Sequence, residues 1–284
     1  MTALEAHTKG KVIFASAGPG DPELITVKAV NYLQQAEVVL ADRLVSSELI
    51  SKYVPASSLV INVGKQSRRG VSTPQQSINE MMVKYALMGK RVVRLKGGDA
   101  SIFSNIMDEL ETLVIHNIPY IIIPGVTAAL GAAATAGIPL TARGYSTAVR
   151  FLTYYTSDSI SESYWKELAL TDDTLVFYMS ADTADIVVEQ LIKYKIKESK
   201  KIAVIEQATT PFQNVLTSGI YDYLSIPKAA LISPSLIIIG NVVALYEKFG
   251  WLGNSNARDY YFQPLTSNII PIVNPKAKRN ASRA

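Results

Sequence analysis

With 284 residues, 48% of them hydrophobic and 18% charged, the chain has the composition of a globular protein that buries a sizeable core, which excludes a disordered or low-complexity segment. It has no cysteine and only two histidines, so disulfides, thiolate metal sites, a cysteine nucleophile and a histidine-rich metal centre are excluded. The net charge of +4 includes a basic stretch from Lys276 to Arg283, and the mildly basic remainder suits a small anionic ligand better than nucleic acid.

Met1 to Lys9 carries charge and no apolar core, which predicts a cytoplasmic protein without a secretory signal. Short β-branched runs then alternate with helix-period segments, the pattern of a mostly parallel sheet with crossover helices. Strands are predicted at 11–17, 38–41, 59–63, 91–95 and 120–123. A helix is predicted before the fourth of these, with Thr73 as cap, Pro74 in the first helical position, Gln76 as capping-box partner and Gly89 left-handed past its end. Tyr120 to Leu140 has no charged residue and is long enough to span a bilayer. Its Pro124, Gly125, Gly131, Gly137 and Pro139 instead predict a buried strand, a tight turn and a short Ala-rich helix.

After Pro139 a second α/β unit is predicted, with strands at 149–153, 174–179, 201–205, 214–219 and 235–239 and helices at 163–169, 182–194 and 242–249. The expected organisation is an N-terminal α/β domain over 10–142, a C-terminal α/β domain over 143–250, and an irregular, basic 251–284.

Three loops follow strands and carry the chemistry. Gly18-Pro19-Gly20-Asp21-Pro22-Glu23 precedes a helix starting near Thr26. Its glycines allow close backbone approach to a ligand, but Glu23 stands where a dinucleotide fold needs a third glycine, and the acidic pair Asp21 and Glu23 would repel a pyrophosphate. Arg94-Leu95-Lys96-Gly97-Gly98-Asp99 places a carboxylate among glycines, fit to accept hydrogen bonds from a cationic ligand, or else forms an ordinary turn. Pro124-Gly125-Val126-Thr127-Ala128-Ala129 offers small residues before a helix capped by Thr127, suited to a flat ring or to plain helix packing. In an open α/β sheet such loops face one crevice beyond the carboxyl ends of the strands.

In this order, these loops resemble the class III S-adenosylmethionine-dependent tetrapyrrole methyltransferases, most closely their uroporphyrinogen-III C-methylating branch, across roughly residues 11–248. The carrying segments are GPGDPELIT, LADRLVS around Asp42, NVGK ending at Lys65, PQQSIN, VVRLKGGD, IPGVTAA, AGIPLTARG, VFYM ending at Met179, EQATTPFQ and SPSLIIIGNVV. The resemblance implies two α/β domains with S-adenosylmethionine in the cleft between them, and a homodimer. It implies cofactor contacts at Pro19, Gly97, Gly98, Asp99, Ile102, Thr127, Ala128, Met179 and Ala208, with Asp42 as proton acceptor and Lys65 as proton donor. The implied reaction methylates two pyrrole carbons, C2 and C7, of uroporphyrinogen III, giving precorrin-2 and S-adenosylhomocysteine for siroheme or cobalamin synthesis.

A substrate carrying many carboxylates needs cations. Arg43, Lys65, Arg68, Arg69, Lys96, Arg143 and Arg150 lie in or near predicted loops, and Arg43 and Arg143 are the expected clamps beside Lys65. The bland alternative for Asp42 is a surface ion pair with Arg43. Methylation of a later cobalt-precorrin, or a non-catalytic nucleic-acid-binding member of the fold, are the competing functions. The sequence departs from the family at Ala100 to Met107, where a Pro-Phe pair and a Gly-Arg-Gly segment are usual, and at Ala142 and Tyr155, where histidines are usual.

Overall fold

The computed structural model describes residues 10–66, 71–157, 160–227 and 231–262. Two compact units divide it, one running to Thr127 and the other covering Ala128–Tyr261. The dividing point lies ahead of the expected 142/143 boundary, because the Ala-rich helix packs with the second unit. Residues 251–262 carry no helix or strand, and the basic stretch from Lys276 lies outside the described residues.

Among the described residues, the first unit holds five parallel strands, β1 (Val12–Ser16), β2 (Val38–Ala41), β3 (Leu59–Asn62), β6 (Val92–Lys96) and β7 (Tyr120–Ile123), in the order β3-β2-β6-β1-β7. A short antiparallel hairpin, β4 (Lys65–Gln66) with β5 (Val71–Ser72), follows β3; two-residue strands have no periodicity for the sequence to announce. The crossover helices are α1 (Val27–Leu33), α2 (Ser47–Tyr53), α3 (Gln75–Leu87) and α4 (Met107–Ile115). Side-chain oxygens of Thr26 and Ser46 cap α1 and α2, accepting from Ala29 N–H at 3.3 Å and Leu49 N–H at 3.1 Å. Helix α3 starts one residue later than expected. Pro74 is its cap residue and no side chain caps it, while Gln75 and Gln76 spend their amides on Asn79 and Glu80 one turn on, each at 2.9 Å. Gly89 is left-handed past the end of α3, at φ 75°, as expected.

Strand alternation sorts the core into two faces. Ile13, Ala15, Val39, Ala41, Val93 and Leu95 share one with Ala29, Leu33 and Leu49 of α1 and α2. Val12, Phe14, Val38, Leu40 and Val92 share the other with Ile78, Met82 and Ala86 of α3 and Leu113 of α4. Strand β7 is an edge strand rather than a buried one, leaving Tyr120 and Ile122 exposed. The charge-free stretch after Tyr120 is thus a strand, a turn and a nine-residue helix α5 (Ala128–Ala136). No helix among the described residues is long and apolar enough to cross a membrane.

The second unit holds β8 (Val149–Thr153), β9 (Thr174–Tyr178), β10 (Lys201–Glu206), β11 (Asn214–Gly219) and β12 (Ser235–Gly240), ordered β11-β10-β12-β9-β8. Only β8 and β9 pair in parallel; β12 runs antiparallel to both neighbours, so β8, β9 and β10 all end on one edge. Helices α6 (Glu162–Leu170) and α7 (Ala184–Lys193) cover one face through Trp165, Leu168, Val187, Val188 and Leu191. Helix α5 packs on β12, and Tyr178 Oη accepts from Ala129 N–H at 3.1 Å. The helix expected at 242–249 is a 3-10 turn, Asn241–Leu245, running into α8 (Tyr246–Phe249), in keeping with the low helix preference of the β-branched Val242-Val243 pair.

Tyr223 packs into the α7 side of this core, 1% exposed. Burial, reinforced by the nearby Asp185 charge, pushes its hydroxyl up to about 12. Because the folded value lies above the unfolded one, the contribution is intact below pH 10 and is lost as pH rises toward 12. Denaturant unfolding followed across that window is expected to lose roughly 2 kcal/mol, and the Tyr223→Phe variant is expected to lack that increment.

Candidate active site

All five strands of the first sheet run parallel, so the segments after β1, β2, β3, β6 and β7 emerge on the same edge. The three glycine-bearing loops and the segments around Asp42 and Gly64 lie there. The two glycine loops are bound to each other: Gly18 N–H donates to Gly98 O at 3.1 Å and Gly98 N–H to Gly18 O at 2.8 Å. Both glycines are left-handed, at φ 79° and 66°, a region that costs glycine nothing. Pro19 follows, half-buried at the turn.

Asp99 ties in the third loop. Its Oδ1 accepts from Ser101 N–H and its Oδ2 from Gly125 N–H, both at 2.7 Å. Ser16 repeats the link from below, donating to Ile123 O at 2.8 Å and accepting from Ala100 N–H at 2.9 Å. A Cβ on Gly125 would stand 2.5 Å from that of Ser16, and one on Gly97 would stand 2.9 Å from that of Leu44. The loops after β1, β2, β6 and β7 are therefore closely packed. Asp21 and Glu23 are spent locally: Asp21 accepts from Glu23 N–H at 2.8 Å, and Glu23 pairs with Lys52 at 2.7 Å.

Asp42 stands at the end of β2, its side chain about a quarter exposed. Its partner is Arg94 rather than the adjacent Arg43. The Arg94 guanidinium donates through Nη2 to Asp42 Oδ1, through Nε to Glu109 Oε1 at 2.9 Å, and through Nη1 to Leu40 O and Leu95 O at 3.2 and 3.3 Å. Glu109 Oε2 accepts from Lys96 Nζ at 2.8 Å. Arg94, Lys96 and Glu109 are all fully buried. Burial opposes the Arg94 charge, but Asp42 and Glu109 outweigh it and hold the guanidinium above its ordinary value. Lys96 is pushed below its ordinary value by burial and by Arg94, against the pull of Asp42 and Glu109.

Arg43 is half-buried, and that burial lowers its value. The bare Gly64 backbone lies against it, since a Cβ there would be 2.7 Å from Arg43 Cβ. The DRL and VGK segments therefore lie side by side. Lys65 itself begins β4, and its side chain, like Arg68 and Arg69, lies outside the described residues. Ile102 is half-buried and Thr127 buried beside this edge. Lys96 and Arg150, weighed above as cleft cations, are engaged elsewhere, Lys96 with Glu109 and Arg150 with Glu167 and Asp173 at 2.5 Å each.

The remaining expected residues belong to the second unit. Ala128 opens α5. Met179 and Ala208 follow β9 and β10 on one edge of that sheet. Met179 is left-handed, at φ 53°, and its sulfur accepts from Tyr155 Oη at 3.1 Å. Ala208 sits between left-handed Gln207 and Thr209, φ 46° and 68°, in a turn pinned by Gln213 Oε1, which accepts from Thr209 N–H at 2.8 Å. Arg143 is exposed at the tip of a tight loop closed by the Ala142–Ser146 bridge.

Residues 11–223 match the family model of the tetrapyrrole (corrin/porphyrin) methylases. The chain belongs to that family. Among relatives of these methylases, "Siroheme synthase 2" of Aeromonas hydrophila is 44% identical over 244 residues, covering 86% of this chain and 51% of its own. The chain thus spans about half the length of the siroheme synthases it matches. A uroporphyrin-III C-methyltransferase from Thermus thermophilus, solved with S-adenosylhomocysteine, is 29% identical at a TM-score of 0.69, covering 83% of this chain and all of the other. A cobalt precorrin-4 methyltransferase is 28% identical at a TM-score of 0.72, covering 86% and 99%.

The buried ionic cluster was missed by sequence reasoning, which placed Lys96 near the cleft and gave Glu109 no role. The available signal was two cations at i and i+2 on a strand whose other residues are apolar, which demands a buried carboxylate. Glu109→Gln leaves Arg94 and Lys96 facing Asp42 alone and is expected to cost about 3 kcal/mol in urea unfolding.

Proposed function

We propose that the chain is an S-adenosylmethionine-dependent C-methyltransferase that methylates uroporphyrinogen III at C2 and C7, giving precorrin-2. The carrying observation is the set of interlocked loops at one sheet edge, with Asp42, Pro19, Gly97, Gly98, Asp99 and Thr127 on the segments that match the family. Family membership and the likeness to a uroporphyrin-III C-methyltransferase support the same reading.

The donor set suits this cofactor. The loops present glycine and small side chains for close approach of a ring, a carboxylate stands beside them at Asp99, and no third glycine follows to accept a pyrophosphate. Both Asp99 oxygens hold main-chain amides, so its first task is to shape the loop, and each oxygen keeps a lone pair for a ligand. When bound, S-adenosylmethionine supplies a sulfonium methyl group that is already electrophilic. The protein then has to align it with an electron-rich pyrrole carbon, and alignment alone lowers a barrier by several kcal/mol. Asp42, partly exposed at the end of β2, takes the role of accepting or steering the ring proton. Lys65 is proposed as the donor, and Arg43 and Arg143 as carboxylate clamps. Met179, Ala208, Ile102 and Ala128 are proposed cofactor contacts.

Incubation with S-adenosylmethionine and uroporphyrinogen III is expected to add two methyl groups by mass. Asp42→Ala is expected to slow this by about 100-fold while S-adenosylhomocysteine affinity in calorimetry is retained. Unmethylated substrate at high enzyme concentration overturns the assignment. Methylation confined to cobalt-precorrin-4 selects the later-intermediate reading, which the structural likeness to a cobalt precorrin-4 methyltransferase favours and the segments around Asp42 and Lys65 oppose.

We further propose a cytoplasmic homodimer. What supports pairing is β7, an edge strand among the described residues, on which Tyr120 and Ile122 are exposed. Sedimentation is expected to give twice the chain mass, and Ile122→Lys to shift it toward the monomer.

A further inference from the structure

We propose that Arg94 is a positioning residue for methyl transfer, fixing the place and orientation of the Asp42 carboxylate from beneath the site. This rests on the reading that Asp42 takes part in the reaction. Arg94 never reaches the open edge: it lies on β6, on the face packed by α3 and α4, and is 2% exposed. It meets Asp42 through one nitrogen only. Its other nitrogens are committed to Glu109, to Leu40 O of the strand that carries Asp42, and to Leu95 O of its own strand.

Those commitments leave the guanidinium plane one orientation. Glu109 is fixed in turn by its second oxygen, which accepts from buried Lys96. Asp42 is also held through its main chain, since its N–H donates to Leu95 O at 2.9 Å. Oδ1 is thereby anchored, which leaves Oδ2 of this partly exposed carboxylate for chemistry. A planar fork with fixed donor directions imposes this geometry, which the compact ammonium of lysine does not.

Charge arithmetic adds a second reason for the arrangement. Arg94 and Lys96 are two buried cations, and Glu109 neutralises one of them. Asp42 is the carboxylate that balances the other. A group required for balance is also held still, which is what an acid-base residue at an otherwise solvated edge needs.

The test is a double-mutant cycle on two-methyl turnover, using Arg94→Lys in the native chain and in an Asp42→Asn background. Circular dichroism and S-adenosylhomocysteine affinity are measured alongside. In the native chain Arg94→Lys is expected to lower kcat about 10- to 100-fold, the scale of an ångström-sized misplacement, with the KM for the tetrapyrrole little changed. In the Asp42→Asn background the same substitution is expected to cost less than about twofold, because two residues acting as a unit are not additive.

Equal factors in both backgrounds overturn the proposal and make Arg94 structural only. Should Arg94→Lys not fold, Glu109→Asp serves instead, since it keeps the charge but withdraws the carboxylate that sets the guanidinium; it must show the same non-additivity, and equal losses again overturn the inference. Full activity of Asp42→Asn alone sinks the role of Asp42 itself, so the two failures are told apart.

Discussion

Two cations on β6, the middle strand of a parallel sheet, both turned into its α3/α4 face, set a condition that the first unit has to meet. Taking an ion out of water costs several kcal/mol even after relaxation, and Arg94 and Lys96 sit side by side in that position. The condition is met by one helix presenting a carboxylate at the right turn. Glu109 and Leu113 lie one turn apart on α4, so the helix that delivers the charge also delivers an apolar side chain to the same core. Apolar surface alone would tolerate a slipped α4. A slip here would strand a buried charge, so the ionic cluster fixes helix against sheet.

From that fixed layer the loops above inherit their order. Asp42 leaves β2 already bound to β6 through main chain and side chain. The loops after β1 and β6 exchange amides across Gly18 and Gly98, and Asp99 with Ser16 carries the link on to the segment after β7. The second unit reaches a comparable edge by another route. There an antiparallel β12 inserted between β9 and β10 still lets both end together, and left-handed residues at Met179, Gln207 and Thr209 turn the chain there.

Much of this was legible from residue type. The β-branched runs located the ten long strands of the described residues, because a buried parallel or mixed sheet needs continuous apolar side chains there. Gly89 announced a left-handed helix end. Thr73 misled, since Pro74 took the cap position and the helix found its support in glutamine pairs. Burial of β7 was overestimated, as an apolar run does not say whether a strand has one neighbour or two. The positions of Pro19, Gly97, Gly98 and Asp99 followed from glycine loops after strands. Arg94 and Glu109 did not, because charged residues are read by default as solvated, and the alternation that contradicts this for Val92, Arg94 and Lys96 runs over only three residues. Nor did the left-handed backbone at Phe103, Met179, Gln207 and Thr209 show, since none of these residue types signals positive φ.

The strand order of the first sheet has a consequence for how the chain acquires its structure. β1 is an inner strand with a neighbour on each side, yet both its partners, β6 and β7, arrive late: Val12 is in register with Val92 and Tyr120. A chain emerging from the ribosome at roughly 5–20 residues per second therefore carries β1 without either sheet neighbour for several seconds. During that interval β2–β3 is the one pairing of this sheet that can form among the described strands, and the VIFAS segment is exposed to whatever apolar surface it meets. Closure of this sheet is a single late event, high in contact order and slow for that reason, and β6 brings with it both the cations and the loop on which the site depends.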